Sequence, residues 1–208
     1  MCSVFCSDSK KVDALMHISL WFCGFFIKTN QKVNINMSIM STKKITFLGN
    51  PISVIGSSPA IGEKAKDFEL INGNLEKVSL NSFDGKKKVV SVFPSIDTPV
   101  CASSVKEFNQ FAATIENCVV LCVSADLPFA QSRYCGAEGL DNVVMLSTYR
   151  NDCFMHDYGT YLNTEPLVGL SARAVFILDE DNKVIYHQLV GELTNEPDYE
   201  KIKSIISA

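Results

Sequence analysis

The chain contains no Cys-x-x-Cys pair, although eight cysteines are spread over its 208 residues. This absence argues against a zinc ribbon and against a redox dithiol of the Cys-x-x-Cys type. Cysteine at this density is also too sparse for a disulfide-stapled scaffold. Histidine is scarce, with three in the whole chain, and His156 and His187 belong to no metal-ligand pattern. We therefore expect neither a metal nor another cofactor.

An excess of charge and long apolar runs are missing as well. The net charge of -4, from 19 basic and 23 acidic residues, gives no electrostatic footprint for nucleic acid. The apolar run at residues 14–27 falls short of the roughly 20 residues that a membrane-spanning helix needs. What remains is the composition of an ordinary globular enzyme, 47% hydrophobic and 20% charged. We expect a protein that binds neither nucleic acid nor a membrane.

Residues 1–36 differ in character from the rest of the chain. Lys10 and Lys11 precede the apolar run, as in a signal peptide, but no Ala-x-Ala-like cleavage site follows it. Three interpretations remain open for this extension. It is an upstream mis-start with Met37 or Met40 as the true beginning, a targeting segment, or an extra structural element.

Residues 37–208 are predicted to form one domain of the α/β class. Continuous apolar runs at residues 89–93 and 119–124 indicate strands buried on both faces of a sheet. Strands and helices alternate around them, which predicts a central mixed sheet flanked by helices. The other predicted elements are an N-terminal β-hairpin at 45–55, short strands at 68–70 and 78–80, helices at 100–116 and 128–137, a strand at 142–146, a short helix at 152–158, a hairpin at 173–190 and a helix at 197–206.

The most informative segment joins the first of these buried strands to the helix that follows. Pro99 suits the first helical position, where its missing N–H group is not needed. Thr98 is then held extended and becomes the N-cap, with a hydroxyl that can cap the helix and still donate to a sulfur. Cys101 falls in the first helical turn, where free N–H groups and the helix dipole favour a thiolate.

The helix start alone is too weak to make Cys101 reactive. An exposed helix terminus contributes about 0.3–1 kcal/mol, whereas one pKa unit corresponds to about 1.4 kcal/mol. A thiol pKa of about 8.5 would therefore move by less than one unit. A reactive cysteine needs a fixed cation as well, and without one Cys101 would be an inert buried thiol.

The pattern Pro94-x-x-x-Thr98-x-x-Cys101 resembles the active-site motif of the peroxiredoxins. Residues 98–102, 120–133, 134–139 and 171–174 further resemble the bacterial thiol peroxidases, which are atypical two-cysteine peroxiredoxins. The resemblance covers about residues 41–208. It implies a thioredoxin-like fold and a cytoplasmic homodimer that reduces hydrogen peroxide and organic hydroperoxides.

The same resemblance assigns roles to five residues. Cys101 becomes the peroxidatic cysteine, which is oxidised to a sulfenic acid, and Cys135 the resolving cysteine, which forms an intramolecular disulfide with it. The Thr98 hydroxyl contacts the sulfur and the peroxide, Arg173 supplies the cation, and Pro94 shields the site. Thioredoxin is implied as the dithiol that reduces the disulfide. Because Cys101 and Cys135 lie in two predicted helices, we expect part of the segment 128–139 to unwind on oxidation.

Alternatives remain open for several of these residues. On pattern alone, Arg173 would be a surface residue and Cys135 a free surface thiol. Cys118, Cys122 and Cys153 match no functional position and are assigned to structure. The rival to an enzyme is a non-enzymatic redox sensor that uses the same two cysteines, and a copper chaperone is a weaker third hypothesis.

Overall fold

The computed structural model describes residues 41–151 and 153–207. The segment 1–36, with its three interpretations, lies outside the described residues, as do Met37 and Met40. A domain that begins at residue 37 therefore stays a prediction. Among the residues that are described, no helix is both long enough and apolar enough to cross a membrane.

Strands and helices alternate along the described chain much as the hydrophobic pattern indicates. A 3-10 turn at Leu80–Phe83 is added between two of the strands. The elements in chain order are β1 (Thr42–Phe47), β2 (Asn50–Ile55), β3 (Leu70–Ile71), β4 (Lys77–Val78), β5 (Lys87–Val92), α1 (Pro99–Ala112), β6 (Cys118–Ser124), α2 (Pro128–Glu138), β7 (Val143–Ser147), α3 (Cys153–Asp157), β8 (Tyr161–Leu162), β9 (Ala174–Leu178), β10 (Val184–Leu189) and α4 (Tyr199–Ile206).

The N-terminal hairpin is formed by β1 and β2, which pair antiparallel on either side of a two-residue turn. Leu48 and Gly49 make that turn, with φ values of 51° and 77°. Two successive residues of positive φ are typical of the tight turn whose twist suits a hairpin. β8 joins the edge of β2 to complete a three-stranded sheet. The predicted hairpin is confirmed, whereas the two-residue β8 carries no periodic pattern from which it could be predicted.

The central sheet has seven strands in the order β10-β9-β5-β6-β7-β3-β4. β5, β6 and β7 run parallel, and β9 and β10 continue the sheet antiparallel beyond β5. α1 connects β5 to β6, and α2 connects β6 to β7, so both helices are crossovers between parallel strands. The α/β class and the mixed sheet are thereby confirmed.

Alternate side chains of the central strands pack into two separate apolar layers, one on each face of the sheet. Along β5, Val89 joins a cluster with Phe108 of α1 and Ile202 of α4. Its neighbour Val90 points to the opposite face and joins a cluster with Phe154 of α3. This two-sided burial explains why the strand is continuously apolar. It also fixes α1, and with it the first helical turn, against the centre of the sheet.

Several element boundaries differ from the prediction by one to four residues, and two of them have a clear local cause. The helix expected at 100–116 ends at Ala112, because both the N–H and the hydroxyl of Thr114 bond to the carbonyl of Phe111 and close a turn. The strand expected at 78–80 ends at Val78, because a 3-10 turn begins two residues later, at Leu80. Neither change moves the segment that carries Cys101.

Candidate active site

Cys101 lies in the first turn of α1, which follows β5 after the loop of residues 93–98. Pro99 is the first helical residue, and Thr98 before it is extended, with φ −107° and ψ 143°. The N–H of Ala102 bonds to the Thr98 carbonyl at 2.9 Å and starts the helix. Cys101 is a free thiol with 0% of its surface exposed. The sulfur therefore sits at the positive end of a helix and away from bulk water.

Arg173 lies beside this sulfur, 72 positions further along the chain. Its Nη2 is 3.4 Å from Cys101 Sγ. The residue precedes β9 and is 3% exposed, so it is not the surface residue that its place before a strand would suggest. The structure thus places a cation beside the Cys101 thiol. The helix start alone was too weak to stabilise a thiolate there.

Two oxygen acceptors hold the guanidinium in place. The carbonyl of Leu193 accepts from Nε and from Nη2 of Arg173, each at 3.3 Å. The hydroxyl of Ser104 accepts from Nη1 at 3.5 Å. Sequence reasoning missed both. Ser104 could have been found, because a residue three positions after Cys101 lies on the same face of the helix, but a backbone carbonyl carries no sequence signal.

Thr98 occupies the predicted N-cap position but does not make the predicted side-chain cap. Its hydroxyl donates instead to the carbonyl of Ser95 at 3.0 Å. A threonine hydroxyl has one proton, so that proton is not directed at Cys101 in this state. The competing acceptor lies three residues back in the chain, within easy reach of a short side chain. The predicted side-chain cap is therefore wrong, and contact between Thr98 and a bound peroxide stays a prediction.

The loop between β5 and α1 is held by a carboxylate that sequence reasoning did not single out. Asp126 accepts from the Ser95 hydroxyl, the Ile96 N–H and the Ser124 hydroxyl, each at 2.7 Å. Pro94 is buried at the start of the same loop. Asp126 lies within one of the segments that carry the family resemblance, but the resemblance assigned no role to this residue. It fixes the backbone that leads into the first turn of α1.

Cys135 lies on α2, and this helix is intact in the structure. Burial raises the pKa of the Cys135 thiol, and the nearby Asp141 carboxylate raises it further. The side chain is half-buried at the edge of an open groove of about 270 Å³. At the rim of this groove, the turn at Gly73 packs so closely on Ser132 that a Cβ at position 73 would collide with the hydroxyl. Cys135 is a free and partly accessible thiol in this reduced state.

Cys118 and Cys122 have environments unlike that of Cys101, because no cation among the described residues is in hydrogen-bond contact with either sulfur. Cys122 is fully buried, and burial raises the pKa of its thiol. Burial also raises the pKa of Cys118 to about 11. Both lie on β6 and pack in the apolar layer under α1, as the strand pattern predicted. In the part of the chain that the structure describes, no cluster of three or more His, Cys, Asp or Glu side chains could hold a metal ion.

Comparisons with known proteins agree on one family. The sequence matches the Redoxin family over residues 60–203. It is 51% identical over 156 residues to the thiol peroxidase of Streptococcus pneumoniae strain R6, covering 75% of this chain and 94% of that protein.

Solved structures give the same fold. The peroxiredoxin-like protein from Aquifex aeolicus superposes with a TM-score of 0.76 at 34% identity, covering 81% of this chain and 97% of that one. The thiol peroxidase from Chromobacterium violaceum gives a TM-score of 0.74 at 23% identity, covering 79% and 95%. The thioredoxin-like fold that the sequence resemblance implied is confirmed. The chain belongs to the Redoxin family, and within that family it groups with the thiol peroxidases.

Proposed function

We propose that Cys101 is the residue with which this peroxidase reduces hydrogen peroxide and organic hydroperoxides, and that Cys135 resolves the product. The observation that carries the proposal is the 3.4 Å approach of Arg173 Nη2 to Cys101 Sγ inside a buried site. Two unit charges about 4 Å apart interact by about 4 kcal/mol at an effective dielectric constant near 20. The helix start contributes about 1 kcal/mol at most, so the arginine is the larger stabiliser of the thiolate.

In the first step the Cys101 thiolate attacks one oxygen of the hydroperoxide. The S–O bond forms as the O–O bond breaks, and the distal oxygen leaves as water or an alcohol after taking up a proton. Arg173 and the free N–H groups of the first turn of α1 face the position where negative charge develops. Cys101 is left as a sulfenic acid.

In the second step the Cys135 thiol attacks the Cys101 sulfenic sulfur. An S–S bond forms and water leaves, which gives an intramolecular disulfide. Because a disulfide requires Cα atoms within about 7 Å, one of the two helices must open. α2 is the better candidate, since α1 is fixed in the apolar layer and α2 contains Gly136, which lowers helix propensity.

The contacts of α2 support opening of its C-terminal half. In the first half, Gln131 is fully buried and donates to Ser124 Oγ at 2.9 Å and to the Leu146 carbonyl at 3.1 Å. Beyond it, Tyr134 donates to the Ala102 carbonyl at 3.1 Å, and the other side chains of this half are only partly buried or exposed. We therefore place the pivot near Gln131, with the turn of Cys135 unwinding toward α1.

An external dithiol then reduces the disulfide, and by family resemblance this dithiol is thioredoxin. The protein is proposed to act in the cytoplasm as a homodimer. Leu127 and Phe129 at the start of α2 are 50% and 64% exposed, and apolar side chains of this kind favour burial against a second subunit.

The proposal is tested by coupled turnover. Thioredoxin, its reductase, NADPH and peroxide are mixed with the protein, and NADPH consumption is followed. We expect sustained turnover by the unmodified chain and none by Cys101→Ser, whereas the control Cys118→Ser should keep its rate. One round of oxidation without turnover would support the redox sensor instead, and a Cys101→Ser variant as active as the unmodified chain would refute the site.

A further inference from the structure

The hydroxyl of Ser104 is hydrogen-bonded both to Arg173 of the candidate active site and to Tyr199 of the C-terminal helix. Ser104 is 1% exposed, and its Oγ lies 2.8 Å from the Val100 carbonyl, 3.5 Å from Arg173 Nη1 and 2.9 Å from the Tyr199 hydroxyl. Tyr199 is the first residue of α4. A tyrosine 98 positions away from Cys101 in the chain is thus two hydrogen bonds away from the arginine that faces the sulfur.

The chemistry of a hydroxyl fixes the direction of each bond. Ser104 has one proton and two acceptor lone pairs. A carbonyl cannot donate, so the proton goes to Val100, and a guanidinium cannot accept, so Arg173 takes one lone pair. The second lone pair is left for Tyr199, which must donate. All three bonding positions of the hydroxyl are then filled, so the loss of any one partner leaves the buried Ser104 hydroxyl with one hydrogen bond fewer.

Arg173 needs this second anchor because its first anchor is a single atom. Both Nε and Nη2 donate to the Leu193 carbonyl, and a planar group held at one oxygen can still tilt around it. The bond from Nη1 to Ser104 fixes the far end of the guanidinium. With both ends held, Nη2 stays directed at Cys101 Sγ.

We propose that Tyr199 is a positioning residue, which acts through Ser104 to hold Arg173 in the orientation that faces Cys101. The inference rests on the proposed role of Cys101 as the peroxide-reactive residue. It gives the C-terminal helix a part in the reaction, although no hydrogen bond among the described residues joins α4 to Cys101 itself.

Tyr199 is itself well fixed for this role. Its ring packs edge-on against Phe108 of α1, with centroids 5.5 Å apart and an interplanar angle of 75°. Burial raises the pKa of Tyr199 to about 12, so the phenol keeps the proton that it donates. The segment before it is also tied down, because Glu192 accepts from the N–H groups of Leu48 and Gly49, both at 3.1 Å. Both anchors of Arg173 thus depend on the stretch from Leu193 to Tyr199.

Tyr199→Phe tests the inference, because it removes the hydroxyl and keeps the ring against Phe108. The readout is the rate of Cys101 alkylation by iodoacetamide as a function of pH, measured with peptide mass mapping. We expect the rate near neutral pH to fall about fivefold, the effect of losing one hydrogen bond in the chain that holds an arginine beside the thiolate. In an Arg173→Ala background the same substitution should have no further effect.

The matched control is Tyr158→Phe. Tyr158 is fully buried and donates to the Lys66 carbonyl at 2.8 Å, in the apolar layer on the other face of the sheet. We expect it to lower the melting temperature and to leave the alkylation profile unchanged, which separates positioning from general stability. Ser104→Ala is a second variant, which should shift the profile in the same direction as Tyr199→Phe.

Two results would overturn the inference. The first is an unchanged alkylation profile in both Tyr199→Phe and Ser104→Ala while Arg173→Ala shifts it, which would leave the role of Cys101 standing. The second is an effect of Tyr199→Phe that persists in the Arg173→Ala background, since the hydroxyl would then act by another route. Failure of the proposed function would give a different result, because Cys101 of the unmodified chain would then not react with peroxide at all.

Discussion

Replacing Arg173 by alanine removes the only side-chain cation that the structure places in hydrogen-bond contact with Cys101 among the described residues. The thiolate then keeps the helix start as its main stabiliser, at about 0.3–1 kcal/mol. The lost attraction is about 4 kcal/mol before the desolvation of both groups is subtracted. We therefore expect iodoacetamide to alkylate Cys101 of Arg173→Ala at least about tenfold more slowly near neutral pH, which corresponds to about 1.4 kcal/mol.

The peroxide reaction should suffer more than alkylation does. In the proposed mechanism Arg173 stabilises the thiolate and also faces the oxygen that leaves, and loss of one such donor slows a reaction by about 10²–10³-fold. The ratio of the stopped-flow rate with hydrogen peroxide to the alkylation rate, both measured at one pH, isolates this second effect. Both reactions use the thiolate, so the thiolate fraction cancels from the ratio.

Arg133→Ala is the matched control for this experiment. Arg133 also lies close to the active-site loop, where its Nη2 is 3.1 Å from Asp97 Oδ1, but its side chain is 65% exposed. An exposed ion pair contributes about 0–1 kcal/mol, so both rates should stay near those of the unmodified chain. If Arg173→Ala reacts with peroxide as fast as Arg133→Ala does, the electrostatic account of Cys101 fails.

Three further predictions follow from the same structure. In Cys135→Ser the first reaction with peroxide should proceed and then stall at a Cys101 sulfenic acid that dimedone traps, and continued turnover would remove Cys135 from the mechanism. Asp126→Asn leaves one oxygen for three donors, so the loop before α1 should loosen and kcat/KM for peroxide should fall about tenfold or more, with an unchanged circular dichroism spectrum. Hydrogen bonds from the Thr46 and Thr194 side chains lower the pKa of Glu192 to about 2. Because the folded value lies below the unfolded one, this stabilisation is complete above about pH 4.5 and is lost as the pH falls toward 2. The difference in unfolding free energy between the unmodified chain and Glu192→Gln should shrink over that range, and a constant difference would contradict the assignment.

The central strands and the reactive helix start could be predicted from sequence because their signals are local. The apolar runs of β5 and β6 require burial on both faces of a sheet, and Pro99 fixes where α1 begins. Short elements could not be predicted, because their signals are not local. β8 has two residues, and it exists because the edge of β2 offers it partners that are distant in sequence.

The surroundings of Cys101 could be predicted only in part. Helix energetics required a cation but did not say which, and Arg173 came from the family resemblance alone. The Leu193 carbonyl and the Tyr199 hydroxyl depend on the tertiary fold, so nothing local points to them. Even the local prediction for Thr98 failed in part. Its hydroxyl donates to the nearby Ser95 carbonyl in the reduced state and does not cap the helix.

The central claim is that peroxide oxidises Cys101 and that Cys135 then captures it within the same chain. Peptide mass mapping after one equivalent of hydrogen peroxide, under non-reducing conditions, tests both parts in one experiment. We expect a single new disulfide between the peptides of Cys101 and Cys135, formed within one chain and absent from Cys101→Ser. A peroxide-induced bond between Cys101 and Cys122 or Cys153, or between two chains, would contradict the resolving role of Cys135, and oxidation that leaves Cys101 unmodified would contradict the account as a whole.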